Sequence, residues 1–77
     1  MKLVDAVGVR LQAIMKEKNS NYYRIQRDGG VDRSTVSDIA QSKYKSVVLN
    51  TLYGILSTFG VSLKEFFDDP IFDKIED

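Results

Sequence analysis

Residues 31–43, VDRSTVSDIAQSK, are rich in polar side chains, and Arg33, Ser34, Ser37, Asp38 and Gln41 fall on the side away from the apolar residues. Their chemistry is that of hydrogen-bonding readers rather than of reacting groups. A glutamine amide can bond an adenine edge in bidentate fashion, and an arginine fork can grip guanine or a phosphate. An aspartate there accepts from cytosine or repels phosphate. Val31, Val36 and Ile39 supply an apolar inner side at helical spacing. A helix that only covers a core would carry Glu and Lys outside, because these are better helix formers than Ser, Thr or Asp. Small hydroxyl side chains instead let a helix seat deeply in a groove. Arg33, Ser34, Ser37, Asp38 and Gln41 are therefore the expected base-contacting positions, with Thr35 expected to bond locally toward Asp32.

Catalytic chemistry has little to work with. The 77 residues contain no His and no Cys, so an attacking group would be a Ser or Thr activated by Lys or a carboxylate. The available hydroxyls fall at capping positions or on one helix face, and no glycine loop is arranged to cradle phosphate. No enzyme activity, cofactor or small-molecule substrate is expected. Without His or Cys a zinc site is not expected either, and disulfides are excluded.

Charge separates along the chain although the net charge is zero. Residues 1–45 carry nine basic and five acidic side chains, a balance of +4, and residues 46–77 carry two basic and six acidic, a balance of −4. Such asymmetry can give one face that attracts phosphate and another that avoids it. No apolar run approaches the ~18 residues of a membrane span, and Asp5 and Arg10 interrupt the start, so no secretory signal is expected and a cytoplasmic location is.

The elements that would position the polar stretch are all helical in period. Val4, Val7, Leu11 and Ile14 mark a first helix ending near Lys18, followed by turn and capping residues Asn19, Ser20 and Asn21. A second, about residues 22–28, places Ile25 inward and stops at Gly29-Gly30, where a positive φ costs little. Asp32 caps a third helix, residues 33–41. After a loop, Ser46 is expected to cap a fourth helix with Leu49, Leu52, Ile55, Leu56 and Phe59 inward, ended by Gly60. Ser62 and Glu65 form a capping box for a fifth helix bearing Leu63, Phe66 and Phe67. Phe59, Phe66 and Phe67 are expected in the core. Asp69-Pro70 starts a last turn or two with Ile71, Phe72 and Ile75. Two short helices around a tight glycine turn make a helix-turn-helix, whose second helix can enter the major groove.

VDRSTVSDIAQSK resembles the second half of the Xre/Cro-type, lambda-repressor-like helix-turn-helix, which commonly reads V-S-R-S-T-I-S-x-I-E-x-G-K. TLYGILSTFGVSLKEFF, residues 51–67, is similar to the T-L-x-x-L-A-x-A-L-G-V-S-L-x-E-L-F that closes the same domain. The two segments lie in order at the right separation, and the resemblance covers roughly residues 4–67. It implies an all-α, compact five-helix DNA-binding domain over residues 1–67. Residues 68–77 would be a short acidic C-terminal extension with helical character. Departures are Gln26 for a usual Ala where the two helices approach, Ala40 for Glu, Ser42 for Gly, and an acid at Asp38.

The resemblance implies a small bacterial or phage transcriptional regulator of repressor type that binds double-stranded DNA. Phosphate contacts are expected from Lys43, Tyr44 and Lys45 after the recognition helix. Tyr22, Tyr23 and Arg24 join them at the start of the second helix, where free amides and the helix dipole favour an anion. One of Tyr22 and Tyr23 is expected in the core. One recognition helix reads only a few base pairs, so a homodimer on a pseudo-palindromic site is expected. Ile71, Phe72 and Ile75 either form the dimer surface or fold back on the core. The alternative is a protein-interaction module that keeps the fold without binding DNA, which Asp38 and the zero net charge favour.

Overall fold

The helical periods close around one core in the computed structural model, which describes residues 1–76. The order is α1 (Leu3–Glu17), α2 (Tyr22–Gly29), α3 (Arg33–Ala40), α4 (Leu49–Ser57), α5 (Leu63–Phe67) and a 3₁₀ helix (Pro70–Lys74). Among the described residues there is no strand, and no helix is long and apolar enough to cross a membrane. α3 lies between α1 and α2, α2 also meets α4, α4 meets α5, and the 3₁₀ helix returns to α1. Leu11, Ile25, Val36, Ile39, Ile55, Leu56 and Phe66 are the largest fully buried side chains, drawn from all five α-helices. Each side chain so removed from water contributes about 1.5–3 kcal/mol, which outweighs the weak intrinsic stability of helices five to nine residues long.

Local chemistry fixes the boundaries. Asn21 caps α2 by accepting from the Arg24 amide at 2.9 Å, and Ser62 caps α5 by accepting from Glu65 at 3.0 Å. Asp69 accepts from the Ile71 amide at 2.9 Å, with Pro70 in the first position of the 3₁₀ helix. Gly30, at φ 71°, ends α2, and Gly60, at φ 68°, follows α4. Two ends use a residue that enters the left-handed region less readily than Gly. Asn19 (φ 53°) follows α1 and Ser42 (φ 58°) follows α3. Beyond α3 the Ser42 amide donates to Ile39 and the Lys43 amide to Asp38, at 3.1 and 2.8 Å, the paired bonds of a Schellman end. The serine at the family's glycine position thus keeps the same backbone device at some conformational cost.

Several expectations need correction. Ser46 does not cap α4, which begins at Leu49 after Val48 with no side-chain cap. Leu49, the first residue of α4, is 59% exposed rather than part of the core. Phe66 is fully buried and Phe59 half-buried, but Phe67 is 38% exposed and packs edge-on against its neighbour Phe66. Ser34 rather than Thr35 bonds to Asp32. Thr35 instead lines a surface pocket with Ile39, Tyr44, Ser46 and Val47.

The tail folds back. The Phe72 ring lies 4.9 Å from that of Phe67 and 5.8 Å from that of Phe66. Arg10 of α1, its side chain 17% exposed, donates to the carbonyls of Phe66 (2.8 Å) and Glu65 (3.0 Å) and pairs with Asp69 at 3.4 Å. One arginine therefore satisfies the end of α5 and ties the 3₁₀ segment to α1.

Candidate DNA interface

α3 is held at both ends by side chains that link it to the two helices beside it. At its start, the Asp32 carboxylate accepts from the Ser34 amide at 2.8 Å and from the Ser34 hydroxyl at 2.7 Å. These bonds, the hydroxyl's first, hold the Asp32 carboxyl below its ordinary value. The Arg33 amide is taken by Oε1 of Gln26, from α2, at 3.0 Å. At the other end, Gln12 of α1 donates its amide to the Ala40 carbonyl, and the Ser42 hydroxyl donates to Val4 at 3.3 Å. Gly8 makes this approach feasible. A Cβ there would lie 2.6 Å from Ser42 Oγ and 2.8 and 2.9 Å from the carbonyl oxygens of Ala40 and Ile39.

The side chains proposed from sequence to contact bases are partnered with close neighbours. The Gln41 amide, just past the last turn, donates to the Ser37 hydroxyl at 2.9 Å. Lys43 stands 3.9 Å from Asp38. The Arg33 guanidinium lies over the Tyr23 ring, 5.9 Å from its centroid. Ser34 is engaged with its cap. Exposed pairs of this kind contribute only about 0–1 kcal/mol each. A charge-assisted bond to phosphate is worth more, about 1.5–3 kcal/mol, so the internal pairs would yield to DNA rather than block it.

The proposed phosphate contacts divide into two groups. Tyr22 is half-buried against the core while Tyr23 is exposed. Tyr23 lies against Arg33, and Arg24 reaches back to the Asn19 carbonyl at 3.2 Å. Arg27, on the same helix, is bonded to Asp28 at 2.9 Å. Hydrogen bonding between the two raises the arginine and lowers the acid from their ordinary values. Lys43 joins Asp38, and Tyr44 lines the same surface pocket as Thr35. Lys45 sits apart, at the rim of an apolar groove formed by Leu3, Val7, Leu49 and Phe67.

Gln12, Gln26 and Gly8 escaped the sequence reading as parts of this site. The one signal was Gln26 itself, a long amide where the resemblance expects Ala. Nothing in local spacing reveals that Gln12 reaches a carbonyl twenty-eight residues away.

The Cro/C1-type HTH DNA-binding domain model matches residues 10–70. The chain belongs to this family. Two curated relatives carry the same helix-turn-helix relationship: the HTH-type transcriptional regulator PuuR of Escherichia coli (strain K12) and that of Shigella flexneri. Each is 35% identical over 65 residues, 84% of this chain and 35% of the relative. The chain thus spans about a third of the length of the curated relatives it matches. No solved structure matches it significantly. As a Cro/C1-type domain it is a DNA-binding module, with α2 and α3 as the helix-turn-helix.

Proposed function

We propose that this Cro/C1-type domain reads double-stranded DNA in a sequence-specific manner as part of a bacterial or phage transcriptional regulator of repressor type, located in the cytoplasm. Residues 1–67 would form the reading domain and residues 68–77 an extension. The observation that carries the reading is the pinning of α3 at both ends, by Gln26 and by Gln12 with Ser42. Such bonds satisfy backbone groups at the helix ends, and they also hold the outward side chains near fixed positions, as base reading requires. In this reading Arg33, Ser34, Ser37, Asp38 and Gln41 face base edges. Tyr22, Tyr23, Arg24, Lys43, Tyr44 and Lys45 approach phosphates, Tyr22 the least so because of its burial. Two copies would bind the halves of a pseudo-palindromic site, since one helix covers few base pairs.

Bound sites selected from random duplex DNA supply the matched target for the test. Matched binding should exceed scrambled binding and weaken steeply as salt rises, because phosphate contacts release counterions. A protein-interaction module is the second reading, favoured by the acid at Asp38 and its pairing with Lys43. That reading expects no duplex binding even at low salt.

A further inference from the structure

Gln26 holds the turn of the helix-turn-helix from both sides. Its backbone carbonyl accepts from the Gly30 amide at 3.0 Å, closing α2 where the chain enters the left-handed region. Its side-chain oxygen accepts from the Arg33 amide at 3.0 Å, opening α3. One residue therefore bonds the last turn of one helix to the first residue of the next, across residues 30–32. Asp32 takes the following amide, that of Ser34, so the first two amides of α3 are bonded by two different side chains. Of these two bonds only that of Gln26 comes from another helix, and it ties the first amide of α3 to α2.

We propose that Gln26 is a positioning residue for DNA reading, setting the placement of α3 on α2 so that Arg33 and the side chains after it meet base edges in register. The inference deepens the DNA-reading function proposed above and rests on it. An eight-residue helix is about 12 Å long. Its far end is fixed to α1, so loss of the Gln26 bond lets the start of α3 swing while the end stays. Base discrimination tolerates displacements of only about 0.5 Å, whereas phosphate attraction acts over many ångströms and barely registers such a shift. Gln26 therefore governs selectivity more than total affinity. Its side chain is exposed, so the bond adds little to folding stability.

Two substitutions separate the acceptor from the bulk of the side chain. Gln26→Met keeps length and removes the acceptor, and Gln26→Glu keeps an acceptor that the positive start of α3 welcomes. The readouts are hydrogen exchange of the Arg33 amide in the unbound protein and the ratio of matched to scrambled duplex affinity. Gln26→Met should speed Arg33 exchange and reduce the ratio about tenfold, the worth of roughly 1.4 kcal/mol, with the melting temperature nearly unchanged. Gln26→Glu should restore both exchange protection and the ratio, even though its charge lowers affinity for every duplex. An unchanged ratio in Gln26→Met overturns the proposal, whether or not exchange speeds up, as does a ratio that Gln26→Glu fails to restore. If the parent protein discriminates no duplex at all, the DNA-reading function itself fails and this role of Gln26 falls with it. That outcome is distinct from a parent that discriminates and a Gln26→Met variant that does so equally well.

Discussion

Single side chains on α3 divide into those that would read and those that hold. Gln41 bonds only to Ser37, both on the outer side of the helix end, so Gln41→Ala should leave the melting temperature almost unchanged. On DNA it should cost about 1–3 kcal/mol at one base position and relax the preference there. Lys43→Ala should behave differently, weakening all duplexes alike and lowering the salt slope by roughly one unit. Asp38→Asn frees Lys43 from its acidic neighbour, and should strengthen scrambled binding. If Asp38 accepts from a cytosine, matched binding falls at the same time. Duplex titrations at several salt concentrations check all three. Asp32 gives a pH signature. Its carboxyl is lowered in the folded protein by the Ser34 hydroxyl and amide, so its stabilising effect is present above the unfolded-state value and fades as pH falls through the folded one. The melting temperature gap between parent and Asp32→Ala should be full near neutrality and shrink in the acid range below the ordinary carboxylate value. A gap that grows on acidification would refute the capping role.

At the scale of elements, the glycines carry the clearest consequences. Gly30 has no atom near its missing side chain, and its sensitivity is one of backbone: Gly30→Val forces a β-branched residue to φ 71°, at a cost of about 1–3 kcal/mol. Gly29 is constrained by space instead, because a Cβ there runs into the Thr58 methyl and comes within 3.3 Å of the Gly54 carbonyl. Thr58 is itself held by a bond from its hydroxyl to Ile55 at 2.7 Å, so it does not turn aside freely. Gly29→Ala should therefore destabilise about as much as Gly30→Val. Gly8→Ala should separate α1 from α3 at about 1–3 kcal/mol, since two of the atoms it meets are backbone oxygens. For a domain of this size 1 kcal/mol corresponds to roughly 4–8 °C in melting temperature, so thermal unfolding resolves each case.

The same scale shows how much was legible in the residues. Caps at Asn21, Asp32, Ser62 and Asp69 are local devices, with donor and acceptor within three residues of each other, and the sequence reveals them directly. The stripe of Val7, Leu11 and Ile14 is likewise legible, because burial repeats with the helical period. Arg10, Gln12 and Gln26 were not legible. Periodicity treats a polar side chain as solvent-facing, and each of these reaches a backbone atom on another element. Arg10 was counted within the basic half of the chain, yet its charge is spent on the end of α5 and on Asp69. Ser46 has the residue type of a cap, but α4 starts three residues later, at Leu49, with Val48 in the cap position.

For the whole molecule, the chain ends meet: the Glu76 amide donates to the Met1 carbonyl at 2.9 Å, beside the 3₁₀ segment on α1. Truncation after Asp69 removes Phe72 from its rings. A loss of about 1–3 kcal/mol is expected for a partly buried aromatic, hence a fall of several degrees in melting temperature. An unchanged melting temperature would show that the tail adds nothing to the fold and would return Ile71, Phe72 and Ile75 to a surface role between copies. The central claim concerns DNA, and its most direct measurement is the affinity of the intact chain for a selected duplex and its scrambled counterpart across a salt series. Matched binding should be at least about a hundredfold tighter, and both affinities should fall linearly on logarithmic axes as salt rises. Equal affinities at every salt concentration, or no binding to either duplex at low salt, would contradict the assignment of α3 as a reader of base pairs.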